Sequence, residues 1–151
     1  MLNIHNNVNQ EDYTGMGSHV IKILHTGISV KDMEVSLEWY ERIMGFKKTV
    51  DFYAPPLGAR ICFIEREDLG YAIELFQYDD PKPIPSDRLV PNTDLQTIGT
   101  KHMAVQMDDA KATREFFVEN NVDIAHEVTM EGESVIFIRD PDGVLIEFIQ
   151  K

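Results

Sequence analysis

The sequence contains the same pattern twice, and this duplication constrains the fold more than any other feature. Residues 25–32 match residues 102–109 after a shift of 77 positions, which places His25 on His102. Residues 71–77 match residues 144–150 after a shift of 73 positions, which places Glu74 on Glu147. The smaller second shift indicates a four-residue deletion in the second copy, between its helix and its last strand. The chain is therefore predicted to contain two copies of one folding unit, each with one histidine and one glutamate at matching places.

Each copy has the pattern of a strand, a helix and three further strands. In the first copy an alternating, β-branched stretch predicts a strand, and Asp32 and Gly45 predict the start and end of the helix that follows. Turn-forming residues separate the remaining strands. The predicted strands lie at residues 21–30, 46–53, 59–65 and 70–78 in the first copy, and at 100–107, 124–130, 133–139 and 144–150 in the second, whose helix is predicted over 109–121.

The length and the two copies predict one domain, residues 21–151, preceded by a tail. Residues 1–20 are polar and lack periodicity, which predicts a flexible tail. We call residues 21–78 module one and residues 99–151 module two. Residues 79–98 between them contain four prolines, which predicts an extended linker. Such a linker is either a stiff spacer or a binding loop.

The composition argues against several classes of partner. With 26 acidic and 14 basic residues the formal charge is −12, which disfavours nucleic acid as a ligand. Cys62 is the single cysteine, so an intrachain disulfide is impossible and a reducing compartment is expected. The sequence shows neither an apolar run of membrane-spanning length nor a signal-peptide pattern. We therefore expect a cytoplasmic protein that binds a small molecule and no membrane.

Strand alternation predicts where the histidines and glutamates point. His25 shares its side of the first strand with Gly27 and Ser29, whereas the other side is suited to packing beneath the helix. Glu74 lies between apolar neighbours on its strand, where a carboxylate is costly to bury without a cationic partner. Because the second copy repeats both features, we expect the four side chains to ligate one metal ion. The predicted ligands are His25, Glu74, His102 and Glu147.

Imidazole and carboxylate ligands without a thiolate suit Zn, Ni, Co, Mn or Fe(II), and they do not select among these ions. The remaining candidate residues are interpreted as structural or peripheral. His5 and His19 are set aside because they lie in the tail, Cys62 is expected in the core, and His126 is expected at the surface or at a pocket rim. Three cations could each meet an anionic group of a substrate, although solvated surface charges are the favoured interpretation: Arg60, Arg88 and Lys101.

Residues 22–150 resemble the vicinal oxygen chelate superfamily, the group of glyoxalase I, bleomycin-resistance proteins and extradiol dioxygenases. The resemblance is carried by residues 25–32, the Trp39-Tyr40 and Gly45-Phe46 pairs, and residues 137–147. It implies an α+β fold in which two tandem β-α-β-β-β modules form an open, U-shaped mixed β-barrel around a metal site. It also places the family's metal ligands on the four predicted residues, with one divalent ion per site.

The resemblance implies a lyase, isomerase or epimerase that acts on a small 2-oxo, 2-hydroxy or thioester substrate through a metal-bound enediolate. Glu74 and Glu147 are then the candidate catalytic bases. Ser29 and Tyr78 replace the arginine and asparagine that help to hold glutathione in the family, which argues against a glutathione substrate. The alternatives are an Fe(II) dioxygenase and a non-catalytic, bleomycin-resistance-like binding protein. The resemblance implies a homodimer, whose sites lie within one chain or between two.

Overall fold

The computed structural model describes residues 19–151, so the predicted tail lies outside the described residues except at its last two positions. None of the helices in this part of the chain is long and apolar enough to cross a membrane. The described residues form two β-α-β-β-β modules in sequence. Module one consists of β1 (His25–Ser29), α1 (Met33–Met44), β2 (Lys47–Ala54), β3 (Ala59–Arg66) and β4 (Tyr71–Tyr78). A short helix, α2 (Pro91–Asp94), precedes module two, which consists of β5 (Met103–Gln106), α3 (Ala110–Glu119), β6 (Asp123–Met130), β7 (Glu133–Arg139) and β8 (Leu145–Gln150).

Each module forms one four-stranded mixed sheet with the same strand order. The orders are β1-β4-β3-β2 and β5-β8-β7-β6. The first strand of each module runs parallel to the last, and the other neighbours are antiparallel. The predicted α+β class and paired modules are confirmed, and the two sheets do not close into a barrel. The first strand of each module is an edge strand, with one hydrogen-bonded neighbour.

The two helices are held at their first turns by equivalent contacts. Asp32 accepts a hydrogen bond from the backbone N–H of Val35, as predicted for an N-cap. The last strand adds a second contact, because Gln77 Oε1 accepts from the backbone N–H of Met33 at 2.6 Å. In module two, Asp109 and Gln150 repeat these roles. Each helix is thus fixed at one end to its own sheet.

The two sides of each sheet have different roles. Ile28, Val30, Ile73 and Leu75 lie under α1 and belong to the buried core. The opposite side carries the predicted ligands, and we call it the ligand face. Sequence alternation predicted this division, because residues two apart on a strand point the same way.

The two modules of a chain contact one another on their helix sides. One core cluster joins Ile43 and Met44 of α1 to Phe117 and Phe148 of module two. The buried Tyr40 hydroxyl donates a 2.8 Å hydrogen bond to Asp140 of module two. The four predicted ligands are not among the residues of this cluster.

The first strand is shorter than the prediction of residues 21–30. It begins at His25 because its neighbour β4 begins at Tyr71, so residues before Leu24 have no strand to pair with. Ile21 and Ile23 are consequently exposed.

The linker prediction is wrong for part of residues 79–98. Instead of remaining extended, this segment contains a 3-10 turn at Ser86–Arg88 and the helix α2. Pro91 is compatible with α2 because it occupies the first turn, where a proline does not remove a helical hydrogen bond. The segment is also docked on module two, since Arg139 Nε donates to the carbonyl of Leu89 at 2.7 Å.

Candidate metal centre

The ligand face of module one brings His25 and Glu74 together. Glu74 lies in the middle of β4, with Gly27 and Phe63 as its Cα partners on the neighbouring strands. His25 Nε2 lies 3.1 Å from Glu74 Oε2. The two side chains are 35% and 19% exposed, so both polar groups reach solvent from a partly buried position.

The ligand face of module two repeats this arrangement. Glu147 has Ala104 and Phe137 as its Cα partners. His102 Nε2 lies 3.1 Å from Glu147 Oε2, with side-chain exposures of 15% and 18%. Gly27 and Ala104, the partners of the two glutamates on the first strands, are both small residues.

A phenylalanine holds each imidazole from the side. The ring of Phe63 meets the ring of His25 edge-on, with centroids 5.5 Å apart and a 90° angle between the planes. Phe137 meets His102 in the same way, at 5.0 Å and 90°. Neither phenylalanine was predicted from the sequence as a site residue. Their signal is the duplication itself, because Phe63 and Phe137 occupy equivalent positions opposite the two glutamates.

The structure does not bring the two pairs together within one chain. Among residues 19–151, no group of three or more His, Cys, Asp or Glu side chains is arranged to hold a metal ion. A cleft of about 620 Å³ instead lies between the modules, lined by Thr26, Tyr71, Phe46 and the end of α1 (Ile43 and Met44) in module one and by residues 102–106 of module two. Each chain therefore presents two separate His–Glu pairs, which we call half-sites.

Each half-site has atoms suited to a divalent ion. Imidazole nitrogen and carboxylate oxygen bind zinc at about 2.0 to 2.2 Å, so two such ligands on one ion are about 2.8 to 3.5 Å apart at angles of about 90 to 109°. The observed 3.1 Å between nitrogen and oxygen lies in this range for both pairs. Two half-sites together would supply two nitrogens and two oxygens.

His126 lies on the ligand face of module two, near its rim. Its Cα partner is Phe137, whose partner on the other side is Glu147. With strand β7 between them, His126 and Glu147 are separated by roughly 10 Å along the sheet. The side chain is exposed, which agrees with the prediction of a surface or rim position.

The three basic candidates are all engaged by acidic groups. Arg60 forms salt bridges with Asp51 at 2.7 Å and Glu34 at 2.6 Å. Arg88 and Lys101 both approach the carboxylate of Asp94, which is buried. The salt bridges in the linker were not foreseen, because they join residues whose approach depends on how the segment folds.

Cys62 lies in the core, as predicted. Its side chain is fully buried beneath α1. Burial, together with the nearby carboxylate of Asp51, raises the pKa of the thiol to about 11. A neutral, enclosed thiol is a poor ligand and a poor nucleophile.

Comparison with known proteins identifies the family. The sequence model of the glyoxalase/bleomycin resistance protein/dioxygenase superfamily matches residues 22–148. The chain belongs to this superfamily. Similar sequences include two proteins named lactoylglutathione lyase. The one from Neisseria meningitidis is 28% identical over 141 residues, covering 87% of this chain and 91% of its own length. The one from Haemophilus influenzae is 28% identical over 137 residues, covering 86% and 93%.

Solved structures show the same fold. A glyoxalase family protein from Enterococcus faecalis has a TM-score of 0.71 at 19% identity, covering 85% of this chain and 96% of its own. The trypanothione-dependent glyoxalase I of Leishmania major has a TM-score of 0.67 at 22% identity, covering 87% of each chain. These similarities support the two-module fold of the superfamily.

Proposed function

We propose that this chain forms a homodimer with divalent-metal centres and acts as a lyase, isomerase or epimerase of the glyoxalase type. Its substrate is a small 2-oxo, 2-hydroxy or thioester compound. The observation that carries the proposal is the pair of equivalent half-sites, each with a histidine nitrogen and a glutamate oxygen 3.1 Å apart. The two pairs also share their register on the sheet and the same edge-on phenylalanine.

Each complete centre contains module one of one chain and module two of the other. Two observations support sharing between chains. Within the described residues the two pairs do not form a joint cluster. The ligand faces also lie opposite the helix sides through which the two modules of one chain contact each other.

The edges of the sheets provide a surface for the second chain. Strands β1 and β5 each have an unpaired edge, which is available to another strand. Ile21 and Ile98 lie at equivalent places, four residues before His25 and His102, and are 91% and 102% exposed. Pairing β1 of one chain with β5 of its partner would cover this apolar surface and bring a His25–Glu74 pair beside a His102–Glu147 pair.

The four side chains suit the removal of a proton next to a carbonyl. When bound, a divalent ion would hold the two neighbouring oxygens of the substrate and stabilise the negative charge that develops there. The histidines would hold the ion, and a glutamate would accept the proton from the carbon. Glu74 and Glu147 have nearly equal exposures of 19% and 18%, so both are accessible to a substrate.

Metal retention and proton exchange test this proposal. Protein reconstituted with Zn, Ni, Co, Mn or Fe(II) and then dialysed should retain one ion per chain, measured by plasma mass spectrometry. Glu74→Gln and Glu147→Gln should each weaken retention by about tenfold, since an amide oxygen is a weaker ligand than a carboxylate. Wild-type protein should also incorporate solvent deuterium next to the carbonyl of 2-hydroxy ketones, detected by NMR.

Glu65→Gln provides a matched control. Glu65 lies on the same ligand face, opposite Ala72, and is exposed. It should leave both measurements unchanged. Absence of stoichiometric metal from every reconstituted sample would contradict the proposed centre. Metal retention without deuterium exchange on any ketone would contradict the enzymatic part and favour a binding protein.

A further inference from the structure

The ligand face of module one is apolar around its His–Glu pair. In the row of Cα partners that contains Glu74, the next residues are Phe63 and Val50. The adjacent row contains Phe76, Ile61 and Phe52. Residues in these rows point to the same side of the sheet. Val50 and Phe52 are 43% and 46% exposed, so the face presents large apolar groups to whatever lies above Glu74.

The corresponding face of module two is nearly as apolar. The row that contains Glu147 continues to Phe137 and His126, and the adjacent row contains Ile149, Val135 and Val128. His126 is the one ionisable side chain in these two rows besides Glu147. Together the two faces form an apolar lining with a single imidazole at its rim.

Each ligand face has a cationic side chain at one end of its sheet, and an acidic residue is its neighbour on the next strand. Lys47 is the Cα partner of Glu65. Arg139 bonds Asp123 at 2.9 Å and also the carbonyl of Leu89. Arg60 belongs to the other side of its sheet, where it binds Asp51. The faces therefore provide no unneutralised ammonium or guanidinium group within these two rows.

An anionic group placed against this lining would lose its hydration without gaining a charged partner. That loss is costly, whereas an aromatic or branched alkyl group would gain from burial at about 25 cal/mol per Å². Phe52, Phe63 and Phe76 also offer ring faces and edges to an aromatic substrate.

We propose that the substrate is a 2-oxo or 2-hydroxy compound with an uncharged aromatic or branched alkyl side chain, which lies against Val50, Phe52 and Phe76. This substrate class rests on the proposed function and narrows it. It excludes conjugates with carboxylate-bearing thiols, whose negative charges have no partner on these faces.

Two ketones of nearly equal size and different charge test this preference. The probes are 2-hydroxyacetophenone with a 4-methylsulfonyl group, which is neutral, and with a 4-sulfonate, which is a weakly ligating anion. Binding to metal-reconstituted protein is measured by titration calorimetry, and solvent deuterium exchange is measured in parallel. We expect the neutral compound to bind about tenfold more tightly and to exchange correspondingly faster.

Variants on the two sides of β2 test whether the ligand face causes the preference for the neutral probe. Phe52→Arg places a cation on the ligand face and should abolish or reverse the selectivity. Tyr53→Arg is the matched control, because Tyr53 is the adjacent residue, is 52% exposed and points to the other side of the sheet. It should retain the wild-type selectivity.

Calorimetry separates failure of this inference from failure of the proposed function. Equal binding of the two probes, or tighter binding of the sulfonate, would overturn the inference even if both exchange deuterium. Selective binding of the neutral probe without exchange would support the inference and contradict the proposed chemistry. Binding of neither probe would contradict both.

Discussion

Each imidazole of the half-sites is held by two neighbours, a glutamate at its Nε2 and a phenylalanine at its edge. In module one these are Glu74 and Phe63, and the ring of His25 packs at 90° to that of Phe63. A ring restrained in this way loses little further freedom when it binds a ligand. The same restraint recurs at His102.

One glycine of module two lies directly against the linker. Gly143 has a φ of +93°, and an added Cβ would collide with the side chain of Leu89. Gly143→Ala should therefore lower the free energy of unfolding by about 1 to 2 kcal/mol for the left-handed backbone and by about 1 to 3 kcal/mol for the collision. Urea denaturation measures both contributions together.

Gly132→Ala isolates the backbone contribution. Gly132 has a similar φ of +85°, lies in another turn of module two and has no atom within 4 Å of an added Cβ. Gly132→Ala should lower the free energy of unfolding by only about 1 to 2 kcal/mol, the contribution of the left-handed backbone. Equal losses for the two variants would show that the linker does not dock on residue 143.

The side of the sheet on which each predicted ligand lies could be predicted from the sequence. The phenylalanine that packs against each histidine could not. Alternation along a strand is local, so it assigned His25 and Glu74 to one side of the sheet. The contact with Phe63 depends on the register between three strands, which a single sequence does not specify.

Among the elements, the helices matched their sequence signals and the linker did not. Helix α1 begins after Asp32 and ends before Gly45, as expected, because caps act within one turn of the helix. The conformation of residues 84–101 depends on contacts with other parts of the chain, such as the hydrogen bond from Arg139 to the carbonyl of Leu89. Proline content alone therefore predicted the wrong conformation for part of this segment.

Helix α1 is joined to module two by the hydrogen bond from Tyr40 to Asp140. Burial raises the pKa of Asp140, although backbone N–H groups and the Tyr40 hydroxyl oppose this rise. Since the folded state then binds the proton more tightly than the unfolded state, the stability contributed by Asp140 is highest below pH 3.8 and falls as the pH rises through the raised pKa. Above that value the carboxylate is charged, and it is stabilised by the backbone N–H of Val144 and by the Tyr40 hydroxyl.

Tyr40→Phe should lower the free energy of unfolding by roughly 1.5 to 3 kcal/mol at neutral pH, and by less in acid, where Asp140 is protonated. Denaturation curves at several pH values measure this difference. Tyr53→Phe removes an equivalent 2.8 Å hydrogen bond to Asp79 on the exposed surface and should cost little at any pH. A larger loss in acid than at neutral pH would contradict the interpretation of the Tyr40–Asp140 pair.

For the whole molecule, the sequence predicted two modules and four ligand positions, and left open whether one or two chains form each site. The structure confirms the two modules and keeps their half-sites apart within a chain. Sequence could not decide this point, because the relative placement of the modules depends on contacts such as those between α1 and Phe148. Sharing between chains is the central claim of the proposed function.

Mixed dimers test this claim directly. One chain carries His25→Ala and Glu74→Gln, the other carries His102→Ala and Glu147→Gln, and different affinity tags allow the mixed dimer to be purified. If each centre joins module one of one chain to module two of the other, the mixed dimer has one intact centre and should retain half of the wild-type metal. Each variant alone has no intact centre. A mixed dimer that retains no more metal than either variant alone would contradict the shared centre.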